Sequence, residues 1–170
     1  MTRQHLATAR FAALTAALWL AGAASAPAQS PNLPLQLSSY PRTQLHISSP
    51  PGAPAPFNHR FDVWVADTPE RSQQGLMFVS DLPENKGMVF PLDPPRVESM
   101  WMKNTYIELD MLFIRADGRV MKIIERAHPL SLETLSSEGP VAAVLELKGG
   151  LVAKLGLKNG DLVRWTKPDP

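Results

Sequence analysis

The sequence predicts a mainly β fold, a compact single-domain β-sandwich or barrel with one or two short helices. Residues 61–65 alternate between apolar and other side chains, which is the period of a strand with one buried face. Residues 109–114 and 119–125 are apolar, β-prone runs, and Asp117-Gly118 between them is typical of a hairpin turn. Six or more short strands of this kind favour a sandwich or barrel over a parallel α/β sheet.

The remaining elements follow from turn and capping residues. Thr68 is a suitable N-cap and Pro69 suits the first helical position, so a short helix is expected to run to about Gly75. A second helical turn is expected at residues 151–155, where Gly156 can cap its end. Further strands are expected at residues 87–90, 97–102, 141–147 and 161–165.

The segment before these elements has a different composition. Residues 29–58 contain seven prolines and several serines and lack a sustained apolar period. Proline resists both helix interiors and central strands, so this segment is predicted to be an extended tether. At most one short edge strand is expected in it, around residues 44–47. The domain itself is expected to span residues 59–168.

The N-terminus has the features of a cleavable signal peptide. Residues 1–10 carry two arginines and no acidic residue, and residues 11–21 form an apolar run. Eleven residues fall well short of the roughly 20 that a membrane-spanning helix needs. Of two overlapping A-x-A sites, the second is preferred because it avoids a proline at the new N-terminus. Cleavage after Ala28 gives a periplasmic or secreted chain that begins at Gln29.

Charge and cysteine content exclude several classes of function. The whole chain carries a formal charge of +1, with 17 basic and 16 acidic residues. Removing residues 1–28 removes two basic residues, which leaves 15 against 16, or −1. A near-neutral domain has no electrostatic footprint for nucleic acid. There is no cysteine, and the four histidines lack zinc-like spacing, so no cofactor or metal is expected. The protein is expected to be a monomer.

Several separated motifs resemble the DUF192 family of bacterial and archaeal proteins in order and spacing. They lie at residues 75–78, 87–90, 100–105, 109–110, 117–118, 145–147 and 156–161. The resemblance covers residues 60–166 and implies a compact β-rich domain, often behind a signal peptide. It implies no established activity. Many members carry a cysteine pair after the hairpin, whereas residues 127–138 contain none, so a thiolate role is not implied here.

The stretch at residues 101–105 is the first candidate site. It places an aromatic ring, a cation, an amide and a hydroxyl where a predicted strand becomes a loop, and loops held by a sheet commonly carry binding groups. Glu108 follows shortly afterwards, and Arg71 is a further cation that could join them. The candidate ligand-binding residues are Trp101, Lys103, Asn104, Thr105, Glu108 and Arg71.

Two buried-strand carboxylates extend this candidate site. Asp110 and Glu146 lie in apolar runs, where a charged group needs a partner such as Lys103. These three residues could form a structural ion-pair network, or they could line a polar cleft with Trp101 as a stacking wall. Both interpretations place the three groups close together.

Three functions remain open from the sequence. The first is binding of a polar small molecule, glycan or envelope protein through residues 101–105. The second is a hydrolase acting on envelope material, with Asp110 or Glu146 as general base and Lys103 and Asn104 stabilising a developing anion. The third is copper binding by thioethers, although apolar neighbours also suit ordinary core packing. The methionines concerned are Met77, Met88, Met100, Met102, Met111 and Met121.

Overall fold

The computed structural model describes residues 34–166, so the predicted signal peptide at residues 1–28 lies outside the described residues. Within them the chain forms mainly strands, with two short α-helices and one 3-10 turn, which confirms the predicted fold class. No helix in this part of the chain has the length and apolarity to cross a membrane. The elements are a 3-10 turn at Leu37–Ser39, β1 Arg42–Ser48, β2 Asn58–Val65, α1 Pro69–Gln74, β3 Lys86–Met100, β4 Leu109–Ile114, β5 Val120–Ala127, β6 Leu135–Lys148, α2 Leu151–Leu155 and β7 Leu162–Trp165.

The strands form a seven-stranded sheet in the order β5-β4-β6-β3-β2-β1-β7. All neighbouring pairs are antiparallel except β2 and β3, which are parallel. The two edges of the sheet meet at one end, where Arg119 bridges to Leu162 and the Val163 N–H donates to the Gly118 carbonyl at 2.8 Å. The sheet therefore curls into a half-barrel, which corresponds to the barrel form of the prediction.

The curled sheet has two covered faces. The inner face is packed by apolar side chains from both edges and the centre of the sheet, with α2 against them. The outer face of β3, β4 and β6 is covered by the chain around α1 and by the loop after β3. Inner-face residues include Leu45, Ile47, Val63, Leu112, Leu145 and Leu147. Outer-face residues include Leu76, Met88, Phe90, Met102, Met111 and Val144. β4 is thus buried on both sides, as are the parts of β3 and β6 nearest to it.

The turns and helix caps lie where the local sequence predicted them. The hairpin between β4 and β5 is present, and Gly118 adopts a φ of 82°, which an L side chain rarely tolerates. Thr68 caps α1, since its Oγ1 accepts a hydrogen bond from the Arg71 N–H at 3.3 Å. Gly156 ends α2 in the left-handed conformation. Asp161 holds the next turn, because its Oδ2 accepts from the Lys158 N–H at 2.8 Å.

The segment predicted as a tether is largely part of the domain. β1 lies between β2 and β7 rather than at an edge, and its Leu45 and Ile47 are fully buried on the inner face. Tyr40, just before it, is also buried. The prolines cluster before and after β1, so they leave residues 42–48 free to pair. The domain boundary expected near His59 must therefore move to a position before β1.

β3 is longer than expected. Two strands were predicted around a proline-rich break, whereas residues 86–100 form one strand that pairs with β6. The prolines are accommodated by a shift of register between Pro91 and Arg96. A second shift follows between Val97 and Ser99. This irregular half of β3 bounds the site described next.

Candidate functional site

A cavity of about 340 Å³ opens on the outer face of the sheet. The C-terminal end of α1, β3, β6 and the loop after β3 all contribute to its walls. Its lining combines apolar side chains with hydroxyls, amides and ionisable groups, a mixture common in small-molecule sites. The large apolar side chains that line it are Leu76, Met77, Phe90, Leu92, Met100 and Trp101.

Glu146 lines this cavity from the sheet itself. It lies on β6 between Met88 of β3 and Met111 of β4, which are its partners in register. Its residue exposure is 4%, and its Oε2 has no hydrogen-bond partner among the described residues. Burial raises the pKa of Glu146 to about 8, because the apolar surroundings disfavour the charged form. At neutral pH the Glu146 side chain is therefore mostly a neutral carboxylic acid.

The other ionisable lining groups form a pair with each other. Arg96 Nε lies 3.0 Å from Glu98 Oε2 in the irregular part of β3, although this buried oxygen accepts no hydrogen bond from the described residues. The backbone N–H of Glu98 also donates to Ser137 Oγ at 2.9 Å, which fixes this part of β3 against β6. Arg96 and Glu98 thus lie within ion-pair distance of each other, whereas none of the described ion pairs includes Glu146.

The loop at residues 101–105 forms the rim. Trp101 is 46% exposed and lines the cavity, and Lys103 Nζ lies 5.0 Å from the centre of its ring. This distance is typical of a cation–π contact. Thr105 also lines the cavity but is buried, and its hydroxyl donates to the Lys103 carbonyl at 3.3 Å. The rim thus has an exposed aromatic part and a buried polar part.

Backbone hydrogen bonds hold this loop in place. The Met102 N–H donates to the Ser131 carbonyl at 3.1 Å, and the Met102 side chain is fully buried in the outer-face core. The Asn104 carbonyl accepts from the Phe78 N–H at 2.9 Å, which joins the loop to the segment after α1. The loop is therefore anchored from two directions, as a preorganised binding loop requires.

Comparisons with known proteins agree with the motifs. The family model of DUF192, described as "Uncharacterized ACR", matches residues 53–165. The chain belongs to this family. A search of curated proteins finds no match.

Two solved structures are similar to this DUF192 chain over most of their length. A Sinorhizobium meliloti 1021 protein described as a candidate transcription regulator has 38% identity and a TM-score of 0.71. The match covers 75% of this chain and 95% of that one. A Novosphingobium aromaticivorans DSM 12444 protein of unknown function has 37% identity and a TM-score of 0.69. Here the match covers 84% of this chain and 94% of the other.

The structure separates the two strand carboxylates that the sequence grouped together. Asp110 pairs in register with Leu147 and so faces the inner side, whereas its neighbour Met111 shares the outer face with Glu146. Lys103 contacts Trp101, and none of the described ion pairs joins it to either carboxylate. The expected closeness of Lys103, Asp110 and Glu146 was wrong. Adjacent strand residues point to opposite faces, and sequence spacing alone did not fix the register.

Asp110 has a structural role that the geometry explains fully. Its Oδ1 accepts from the N–H groups of Arg126 at 2.8 Å and Gly150 at 3.0 Å. Its Oδ2 accepts from the Val152 N–H at 2.8 Å, in the first turn of α2. The carboxylate thus ties β5 and α2 to β4, because it satisfies donors that would otherwise be buried without partners.

Three further candidate residues lie outside the cavity walls. Glu108 pairs with Arg126 at 2.7 Å on the exposed surface. Arg71 pairs with Asp67 at 2.6 Å and donates to the Ser39 carbonyl at 2.8 Å, so it holds the segment before β1. Asn104 contributes its backbone to the loop, and the cavity lining comes from its neighbours Trp101 and Thr105.

Sequence reasoning missed the part of the site that α1 and β3 supply. Ser72, Gln73 and Gln74 line the cavity, as do Arg96 and Glu98. The sequence did carry a signal for part of the cavity wall, because four of the DUF192 motifs contribute residues to the cavity. The motifs at residues 75–78, 87–90, 100–105 and 145–147 each contribute at least one lining residue. The motifs at residues 117–118 and 156–161 form turns instead.

The methionines divide between the cavity and the core. Met88 and Met111 flank Glu146 and are fully buried, whereas Met77 and Met100 line the cavity. Met102 is buried in the outer-face core, and Met121 packs at its margin. No group of three or more His, Cys, Asp or Glu side chains suited to a metal ion occurs within residues 34–166.

Proposed function

We propose that this DUF192 protein binds a small polar molecule in the outer-face cavity, with Glu146 as the anchoring group and residues 101–105 as the rim. The observation that carries the proposal is the buried Glu146 carboxyl without a hydrogen-bond partner, on the wall of an open cavity. Leaving such a group unpartnered costs about 1 to 3 kcal/mol or more, and a bound ligand would recover this cost.

The construction of the rim supports the same proposal. Trp101 offers an exposed ring beside the cavity, and exposed aromatic rings supply contact area for small molecules and sugars. The backbone of the loop is fixed before any ligand arrives, which lowers the entropy cost of binding. A glycan fragment or an envelope component is a suitable occupant only if the part that enters the cavity is small.

The hydrolase alternative has less support. It requires Asp110 or Glu146 as general base beside Lys103 and Asn104. The Asp110 carboxylate already accepts three backbone hydrogen bonds on the other face of the sheet. Lys103 is held over Trp101 rather than over Glu146. A hydrolytic role would therefore rest on Glu146 without the expected stabilising groups.

The description of the Sinorhizobium relative as a candidate transcription regulator is not carried over to this chain. The formal net charge of the present chain is only +1, and nucleic-acid binding normally requires a clear excess of basic residues on one surface. A regulatory role that depends on a small ligand would still use the same cavity.

Copper binding is a second candidate function because two thioethers flank Glu146 and two more line the cavity. Met88 and Met111 flank its carboxyl, and Met77 and Met100 line the cavity. Thioethers favour Cu(I). Anaerobic competition with a colorimetric Cu(I) chelator should show one tightly held ion per chain, lost in a Met77→Leu/Met100→Leu double variant. Absence of competition would remove copper from consideration.

Export is proposed together with binding. The N-terminal basic and apolar regions favour transport by a signal peptide with cleavage after Ala28. Mass spectrometry of the protein expressed with its N-terminus in a bacterial host should give a periplasmic chain that begins at Gln29. Recovery of the full-length chain from the membrane fraction would contradict this proposal.

The cavity can be tested without knowing the natural ligand. A library of fragments with about 10 heavy atoms should give NMR shift changes concentrated at residues 72–77 and 98–105. Ser99→Trp, which adds an indole at an exposed position of the wall, should abolish these changes while the protein stays folded. A library without any hit at the cavity would refute small-molecule binding there.

A further inference from the structure

We infer that the ligand of this cavity is a small organic cation, an ammonium group on a short apolar chain, whose charged end pairs with Glu146. The inference rests on the proposed binding function and specifies the ligand's chemical class. It follows from the charges that line the cavity, from the apolar surroundings of the carboxyl and from the size of the space.

The lining charges favour a cation over an anion. Arg96, Glu98 and Glu146 are the ionisable side chains that line the cavity. Arg96 and Glu98 are paired at 3.0 Å, so together they contribute no net charge. Lys103 on the rim is held over the Trp101 ring, so the lining itself is either neutral or negative, depending on Glu146. An anionic ligand would meet an arginine that already has a carboxylate partner, and it would lie near two acidic groups.

The surroundings of Glu146 suit a ligand with an apolar body. Its strand neighbours are Met88 and Met111, and Leu76, Phe90 and Met100 line the same space. Thioethers and aromatic rings are polarisable and lie comfortably against alkylammonium groups. A buried ion pair is favourable only when its hydrogen bonds are well satisfied. The nearby hydroxyl of Thr105, also buried in the lining, offers a further acceptor for an ammonium proton.

The size of the cavity limits the ligand. About 340 Å³ lies near the lower end of the range for small-molecule sites, which is roughly 300 to 1,000 Å³. A chain of a few carbons with one ammonium group fits this space, whereas a whole disaccharide would have to remain largely outside it. We therefore choose n-butylammonium as the probe.

Binding of this probe involves one proton. Before the ammonium ion binds, the Glu146 carboxyl is mostly neutral at pH 7, since burial raises its pKa to about 8. When the ammonium ion binds, the carboxyl releases its proton to solvent and becomes the carboxylate partner of the cation. No other bond changes. The apparent affinity should therefore rise about tenfold with each unit increase in pH well below pH 8, and about fivefold between pH 7 and pH 8.

The test is an NMR titration of the mature chain with three probes of similar size. n-Butylammonium carries a butyl chain, butyramide and butyrate carry a propyl chain on an amide or carboxylate group, and the three differ in charge. We expect shift changes at Thr105, Met100 and Glu146 with n-butylammonium, with an apparent affinity at pH 8 at least fivefold higher than at pH 7. Butyramide and butyrate should bind at least tenfold more weakly at pH 8.

Two variants check the role of the carboxyl. Glu146→Gln keeps the shape of the side chain and removes its charge, so it should reduce n-butylammonium affinity at least tenfold at pH 8 and remove the pH dependence. Glu125→Gln makes the same change at an exposed position on β5 and should behave as wild type. If Glu146→Gln does not fold, the pH dependence of the wild type against butyramide still decides the ligand class.

The outcomes separate this inference from the proposed function. Equal or tighter binding of butyramide or butyrate in the cavity would overturn the cationic class while supporting small-molecule binding. Unchanged binding of n-butylammonium by Glu146→Gln would also overturn it. Absence of binding by all three probes would overturn the class, and the fragment library described above would then decide whether the cavity binds anything.

Discussion

Asp110 and Glu146 are both buried carboxylates on neighbouring central strands, yet they lie in opposite electrostatic surroundings. Asp110 faces the inner side and receives three backbone N–H donors at 2.8 to 3.0 Å. Glu146 faces the outer side, where its Oε2 receives none from the described residues. Donors stabilise a carboxylate, whereas burial without donors favours the neutral acid. The first group therefore serves the fold, and the second is available to a ligand.

The same division extends to the two faces of the sheet. The inner face is closed by apolar side chains and by α2, whose first turn is fixed through Asp110. The outer face is covered only in part, and its cavity lies between α1 and the loop after β3. A buried carboxyl is thus a candidate ligand site when it both lines a cavity and keeps unused hydrogen-bonding capacity. Burial or position in an apolar strand alone does not establish this.

The largest expected effect is at Asp110. Asp110→Ala removes three hydrogen bonds to a charged group and leaves buried N–H donors without partners, so it should lower the free energy of unfolding by about 4 to 6 kcal/mol. Urea denaturation measures this change. Glu108→Ala, which removes an exposed ion pair with Arg126, should cost only about 0 to 1 kcal/mol. A small loss at Asp110 would contradict its structural role.

A smaller effect is expected at β1, which tests the corrected domain boundary. Leu45 is fully buried on the inner face, so Leu45→Ala should lower the free energy of unfolding by about 2 to 5 kcal/mol. Leu35, in the same predicted tether, is exposed, and Leu35→Ala should change it by less than about 0.5 kcal/mol. Equally small effects at both positions would support the original prediction that residues 29–58 are a tether.

The next effect is the pH dependence that Glu146 gives to stability. Its pKa is about 8 when folded against a usual value of 4.5, so between these values the unfolded chain releases a proton that the folded chain retains. The wild type should therefore lose stability relative to Glu146→Gln as pH rises. We expect a difference of more than about 2 kcal/mol between pH 5 and pH 8 in urea melts. Parallel stability curves for the two proteins would show that the carboxyl is solvated.

Much of the fold could be predicted because it depends on local signals. Thr68 and Pro69 specify the start of α1, and Asp117-Gly118 specifies the hairpin, whatever the rest of the chain does. β1 was expected only as a short edge strand at residues 44–47, because its full strand character comes from pairing with β2 and β7, which are distant in sequence. Local proline content was therefore a poor guide to residues 42–48.

The candidate site was predicted only in part for a related reason. Trp101, Thr105 and Glu146 were identified from their chemistry, and all three line the cavity. The grouping of Glu146 with Asp110 failed because it required the register between β4 and β6, which fixes the face that each side chain occupies. Glu98 was missed because a charged residue near prolines is typical of a loop rather than a cavity wall.

The smallest effect on stability is expected at Trp101, where binding and folding can be separated most clearly. If this ring belonged to the core, its loss would cost about 3 to 5 kcal/mol. Because it is 46% exposed, Trp101→Ala should instead cost less than about 1 kcal/mol. The adjacent Met102 is fully buried, so Met102→Ala should cost about 2 to 5 kcal/mol and serves as the matched control. Thermal and urea melts measure both.

Since Trp101 lines the cavity, its loss should weaken n-butylammonium binding severalfold at pH 8, although the protein remains folded. A stable Trp101→Ala variant with unchanged affinity would remove the ring from the site while leaving Glu146 as its anchor.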